Sequence, residues 1–189
     1  TLWRVVTGIH GPTGGEIGLD GGSRPLVTPR EASEAGISII YQELSVINEL
    51  SALENLFVGR LPVKRCLGVP IVDWKLMEAE ARSIIGRLGL GSLDLHKPVG
   101  EMPIAHRQII EIAKSLMKNV RVLVMDEPTS SLTSVETERL FALVRQLKAE
   151  GTAILFISHK LDEVREIGDT FSVLKDGVST GHGRIADYT

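Results

Sequence analysis

Cys66 is the only cysteine in the 189 residues, so no intrachain disulfide can form, and a reducing compartment is the natural setting. Aromatic residues make up 4% of the chain and the net charge is -3. Nucleic-acid binding needs clustered Lys and Arg on phosphates and rings on bases, so the composition argues against a nucleic-acid surface. The histidines, at positions 10, 96, 106, 159 and 182, lie too far apart in sequence to suggest a metal site. Apolar runs such as Val122 to Met125 and Ala153 to Ile157 are far too short to span a bilayer. Any membrane connection is therefore expected to go through a partner. No Ser/Pro-rich linker and no internal repeat divides the chain, and no Gly-Lys pair occurs anywhere in it.

What is present is ordinary for one globular domain with a real core: 43% hydrophobic and 24% charged residues. From Trp74 the positions Trp74, Met77, Ala81, Ile84, Ile85 and Leu88 fall on one helical face, with Asp73 placed as N-cap and Gly89 as stop. A second helix is expected from about Ala105 to Met117, with Ile109, Ile112, Ala113 and Leu116 on its buried stripe. RVLVM (121–125) and TAILFI (152–157) read as strands buried on both faces. Between them Thr133 and Glu136 stand at capping-box spacing ahead of a helix carrying Leu140, Leu143, Val144 and Leu147. That is a βαβ unit with parallel strands. FSVLKDGVST reads as a terminal hairpin turning at Asp176-Gly177.

The strongest local signal is VRVLVMDEPTSSL, a buried strand ending in two carboxylates, Asp126 and Glu127, and stopped by Pro128. Neighbouring strand residues point to opposite sides, so one carboxylate can face the water shell of a magnesium ion and the other an attacking water. Such a strand end can also be a plain exit from the core. In FISHKLDEV, His159 is expected at the same sheet edge, as a donor to a terminal phosphate; alternatively Ser158 or His159 caps the next helix, with Asp162 and Glu163 in its first turn. Gln42 follows the β-rich run ISIIY, and its neutral amide could touch both metal and water or be a polar loop residue. The glycine-rich opening, GIHGPTGGE, fails the GxxxxGK test for a phosphate loop, because Glu16 follows Gly14-Gly15. It reads as a helix stopped by Gly8 and a turn into a strand, EIGLDG.

Taken in order, AGISIIYQELSVINELSALENLFVGR, EIAKSLMKN, RVLVMDEPTSSLT and FISHKLDEV resemble the ATP-binding subunits of ABC transporters, within them the sugar-import type. The resemblance implies an α/β fold: a P-loop NTPase (RecA-like) core from residues 1–47 and 118–189, truncated at the N-terminus, and an ABC helical subdomain at 48–117 carrying the signature region. It implies ATP and Mg2+ as cofactors. By position Asp126 holds magnesium through water, Glu127 polarises the attacking water, His159 contacts the γ-phosphate, and Gln42 touches the metal and senses that phosphate. Met102, Pro103, Ile104, Ala105 and His106 stand at the nucleotide-binding signature and Thr133 in the D-loop. The implied partners are a second ATP-binding domain, transmembrane permease subunits and, indirectly, a solute-binding protein, at the cytoplasmic face of the membrane.

The match has departures. The signature, usually close to LSGGQ, stands here as MPIAH (102–106), and Pro103 removes both the serine hydroxyl and a backbone donor. Thr133 replaces a common aspartate, although threonine is usual in the sugar group. Thr1-Leu2 align with the residues just after the phosphate loop, so the isolated 189-residue chain is expected to bind ATP weakly and hydrolyse none. The alternatives are a non-catalytic ABC-like interaction module, or a non-transport ABC ATPase working on DNA or ribosomes. Acidic charge and the lack of a long coiled-coil or basic insertion oppose the latter.

Overall fold

The computed structural model describes every residue except 1, 12, 16, 20–21, 24–27, 42–43, 67, 119 and 189. Helix α1 (Leu2–Val6) comes first and ends in a Schellman arrangement: the Ile9 N–H donates to the Arg4 carbonyl at 2.8 Å and the Gly8 N–H to that of Val5 at 3.1 Å. Gly8 sits at φ +72°, and a Cβ there would lie 2.4 Å from the Thr28 carbonyl oxygen. The glycine is thus required twice over, by the left-handed backbone and by the close approach. Gly8→Ala is expected to destabilise the protein by about 2–3 kcal/mol, read as a lower midpoint in denaturant unfolding; a loss below about 0.5 kcal/mol would show that the turn relaxes freely.

Strands β1 (Gly18–Leu19) and β2 (Gly22–Ser23) form a short antiparallel ladder. Helix α2 (Pro29–Glu34) starts on a full capping box between Thr28 and Glu31 and leads into β3 (Ile37–Ile40). Helix α3 (Ala52–Phe57), capped by Ser51 and Glu54, precedes an exposed hairpin, β4 (Val63–Cys66) and β5 (Val69–Val72). Then come α4 (Trp74–Arg87), α5 (Ile104–Leu116), β6 (Val122–Asp126), α6 (Ser134–Ala149), β7 (Ala153–Ile157) and α7 (Leu161–Ile167). The last strands, β8 (Thr170–Lys175) and β9 (Val178–Arg184), pair antiparallel around Asp176 and Gly177, both at positive φ as a tight hairpin turn requires.

The chain divides into two compact units: one holds Thr1–Gln42, Val120–Ser130 and Thr137–Thr189, the other Glu43–Asn119 and Ser131–Glu136. In the first, β3, β6 and β7 form a parallel sheet in that order, with Ile37 opposite Val122 and Asp126 opposite Ile157. Leu123, Val124 and Met125 of the central strand are completely buried. Ala32, Ile37 and Val124 form a core cluster with Trp3, Val6 and Leu155 against it. Leu140, Phe141, Leu143, Val144 and Leu147 form the buried face of α6. Strand β7 departs from the sequence expectation, because its residues are only partly buried. Among the described residues it pairs on one side alone, with β6, and an edge strand keeps part of its surface open.

In the second unit α3 packs on α4 and α5, and α4 on α5. Asp73 accepts from the Leu76 N–H as N-cap of α4, while Gly89 at φ +79° follows its end. Met77, Ala81, Ile84, Ile85 and Leu88 are buried as their spacing predicts. Trp74 is not: it opens the helix and is 54% exposed, because a first-turn side chain lies outside the packed stripe. The stripe on α5 also differs. Ile112 and Ala113 are buried, but so are Gln108, Ile110, Glu111 and Ser115, whereas Ile109 and Leu116 are only half-buried. A polar group can turn inward where a partner meets it, and Glu111 accepts from the Ser45 N–H at 2.9 Å and from the Ser45 hydroxyl.

Candidate functional site

Strand β6 carries its chain to Asp126, the last residue of the ladder, and Glu127 comes directly after it. Glu127 is at φ +47°, a conformation costing a non-glycine residue on the order of 1 kcal/mol or more. Strand alternation therefore does not set the directions of the two carboxylates; Glu127 has left the strand and turned through a left-handed residue. The turn is held by its backbone. The Glu127 N–H donates to the Ile157 carbonyl of β7 at 2.9 Å, and the Ser130 N–H donates to the Glu127 carbonyl at 3.2 Å.

His159 follows the end of β7, and its Nδ1 lies 3.1 Å from Glu127 Oε1. The side chain of His159 is 67% exposed and that of Glu127 31%, so both present an open side to a ligand. Asp126 is half-buried, and burial first, then the neighbouring Glu127 charge, push its carboxyl above the usual range. Parallel strands deliver these groups at their carboxyl ends, where open α/β sheets bind ligands. Three of the predicted site residues, Asp126, Glu127 and His159, thus stand together.

A second cluster lies behind them. Glu163, in the first turn of α7, is buried and accepts from three donors. Thr129 Oγ1 is 2.8 Å from each carboxylate oxygen, the Ser158 hydroxyl donates at 2.9 Å, and Lys160 Nζ lies 3.0 Å away. Burial alone would raise this carboxyl; the bonds from Lys160, Thr129 and Ser158 bring it below the usual carboxylate range. The helix start is also corrected: Lys160 is the N-cap, without a side-chain cap bond. Neither Ser158 nor His159 caps α7, since Ser158 accepts the Lys160 N–H at 3.1 Å while donating to Glu163.

The remaining predicted residues belong to the second unit or lie outside the described set. Gln42 is outside the described residues. Met102 is buried at the end of a 3-10 turn (Val99–Glu101), Pro103 is the N-cap of α5 with no side-chain cap bond, and Ile104 opens the helix exposed. Ala105 and His106 in its first turn are half-buried. Arg107 grips the turn ahead of them, its Nε donating to the Met102 carbonyl at 2.8 Å and its terminal Nη2 to that of Gly100. Thr133 and Glu136 close their capping box: the Thr133 N–H and hydroxyl donate to Glu136 at 2.9 and 2.8 Å. Among the described residues no group of three or more His, Cys, Asp or Glu could hold a metal ion by itself.

The sequence profile of the ABC transporter family matches residues 1–130, more than half of the chain. The chain belongs to the ABC transporter family. The D-allose import ATP-binding protein of Escherichia coli (strain K12) is 48% identical over all 189 residues, which cover 37% of that protein. The ribose import ATP-binding protein of Chromobacterium violaceum is 44% identical over 186 residues, covering 98% of this chain and 36% of the relative. The chain therefore spans little more than a third of the length of these relatives. Among solved structures, a nucleotide-free ATP-binding cassette from an ABC transporter superposes with a TM-score of 0.82 at 28% identity, covering 97% of this chain and 74% of that one. An ATP-binding cassette of an ABC transporter in its ADP conformation matches at 27% identity with the same TM-score, 0.82, and the same shares, 97% and 74%. The parallel α/β sheet is that of the ABC cassette.

Within this family member, several residues of the site escape a reading by motif. Thr129 and Ser158 read as generic turn residues, and Glu163 reads as a helix-dipole acid. Only a buried carboxylate unites them, and Thr129 and Glu163 are 34 residues apart in the chain. Glu111 and Arg107 look like surface charges on a helix, yet each is spent on a distant or preceding loop.

Proposed function

We propose that this chain is the hydrolytic portion of an ATP-binding subunit that powers carbohydrate import through an ABC transporter. The observation that carries the proposal is the arrangement of Glu127 and His159, 3.1 Å apart at the ends of adjacent parallel strands, with Asp126 beside them. Magnesium suits the donor set. Asp126 offers hard oxygen ligands that burial and the Glu127 charge leave in need of a cation, and Mg2+ commonly uses one or two carboxylates together with substrate phosphates. When bound with ATP it offsets charge on the phosphates.

The chain's own residues supply the rest of the chemistry. Asp126 would hold the cation through water. Glu127 orients the attacking water and accepts its proton on the carboxylate, and His159 donates to the γ-phosphate, steadying the charge that grows there. Gln42 would sense that phosphate, while residues 102–106 and Thr133 would face nucleotide bound by a second ATP-binding domain. No Gly-Lys pair occurs in the 189 residues, so a lysine holding the β and γ phosphates would have to come from outside them, and the proposal concerns the complete protein. No described helix is long and apolar enough to cross a membrane, which suits docking on permease subunits at the cytoplasmic face. A solute-binding protein would feed the permease and touch this subunit only indirectly. Carbohydrate as the cargo class is supported by the sugars named for the relatives at 48% and 44% identity.

The test is reconstitution of the complete protein with its permease in lipid vesicles. Magnesium-dependent ATP hydrolysis and ATP-driven uptake of a labelled pentose or hexose are expected. Hydrolysis without uptake of any sugar in a panel would remove carbohydrate from the proposal. Nucleotide bound but never hydrolysed would favour a second reading, a non-catalytic partner of another cassette, to which Pro103 at the uncapped start of α5 points.

A further inference from the structure

We propose that Glu163 is a positioning residue that fixes Glu127 against His159 by bonding both loops that carry them. One loop runs from β6 through Glu127 to Thr129, and the other from β7 through Ser158 to His159. Each offers one hydroxyl to the same carboxylate, Thr129 at 2.8 Å and Ser158 at 2.9 Å. Thr129 is two residues beyond Glu127 and Ser158 is adjacent to His159, so little chain separates each tether from the group it places. Thr129 is 2% exposed and Glu163 8%, which shields the bonds from competing water. Lys160 Nζ, 3.0 Å from the carboxylate, supplies the countercharge that lets the acid stay ionised there.

Glu163 itself bonds neither Glu127 nor His159 in the described contacts, so its influence passes through the loops. Hydrolysis by a water on Glu127 depends on placement to within fractions of an ångström, and a 1 Å error costs on the order of 100-fold. The proposal rests on the hydrolytic reading of Asp126, Glu127 and His159, and its test separates the two.

In the complete, reconstituted protein, Thr129→Val keeps the shape and removes the donor. It is expected to lower kcat ~10–100-fold with KM for ATP changed less than about twofold and the melting temperature within a few degrees. Thr129→Ser, which keeps the hydroxyl, should restore kcat to within about threefold. Ser158→Ala, cutting the other tether, should produce a loss of similar size, and the double variant should lose no more than the larger single loss, because both act through one carboxylate. Unchanged kcat in Thr129→Val, or losses that multiply in the double variant, would overturn the tether. So would a fall in kcat matched by falls in ATP affinity and melting temperature, since that pattern marks general destabilisation. Glu127→Gln, measured in parallel, keeps the readings apart: full activity there defeats the hydrolytic assignment, whereas an inactive Glu127→Gln beside a fully active Thr129→Val defeats the tether alone.

Discussion

In the complete protein, Glu127→Gln is expected to lower kcat for ATP hydrolysis by ~10³-fold while the Kd for ATP moves by no more than about threefold. The amide has the size of the carboxylate and keeps an oxygen where Glu127 Oε1 lies 3.1 Å from His159 Nδ1. The left-handed turn at φ +47° is a backbone property secured by the Ile157 carbonyl, so it survives the change. What disappears is the capacity to take a proton from water, the one step an amide cannot perform at neutral pH. Steady-state ADP release and equilibrium dialysis with ATP in the same preparation check both halves. A variant hydrolysing at the full rate would remove Glu127 as the base. One that lost ATP binding in proportion would make it a binding residue instead.

The second large effect concerns stability. Asn55 is completely buried in α3, and its side chain is saturated. Its Oδ1 accepts the Ile47 N–H at 2.8 Å, and its Nδ2 faces the carbonyls of Ile47, Leu50 and Ser51 at 2.9, 3.2 and 3.0 Å. One amide thus folds the 47–51 loop onto the helix start. Asn55→Ala is expected to cost about 3 kcal/mol, since it opens a cavity at a fully buried position, removes four side-chain hydrogen bonds and leaves the Ile47 N–H without its partner. For a chain of this size that is roughly 6–12 °C in Tm. Asn55→Asp should be worse than alanine: it keeps one acceptor but sets a negative charge against three carbonyl oxygens. Denaturant unfolding of the three proteins tests the order. A loss under about 1 kcal/mol for alanine would mean that the loop is held mainly by backbone bonds such as Val99 N–H to the Leu50 carbonyl, 2.9 Å.

Asn55 also illustrates which parts of the fold could be seen in the amino acids beforehand. Helices α4 and α6 announce themselves through 3.6-residue spacing and the caps at Asp73 and Thr133. Strand β6 is an apolar run closed by acids and a proline. These are local signals carried within a few residues. The burial of Gln108, Glu111 and Ser115 on α5 was not legible, because polar residues point inward only where a distant partner waits, as Ser45 does for Glu111. Strand β7 reads like β6 in composition, yet among the described residues it pairs on one side alone, and pairing is a property of the sheet, not of the strand. The same division runs through the site. Asp126, Glu127 and His159 were legible as side chains of the right chemistry at strand ends, whereas the left-handed backbone at Glu127 and the shared carboxylate of Glu163 arise only in three dimensions.

Arg107 has a consequence for what the neighbouring sequence can tolerate. Its guanidinium bonds the carbonyls of Gly100 and Met102, atoms that every amino acid possesses. A clamp on main-chain oxygen is blind to the side chains it passes. The exposed positions Pro103 and Ile104 can therefore change identity while the entry into α5 keeps its path, whereas Gly100, where a Cβ would meet the Asn48 carbonyl oxygen at 3.0 Å, and the buried Met102 are constrained by packing. An unusual side-chain sequence and a fixed backbone path are compatible at this helix start because one arginine holds main-chain atoms.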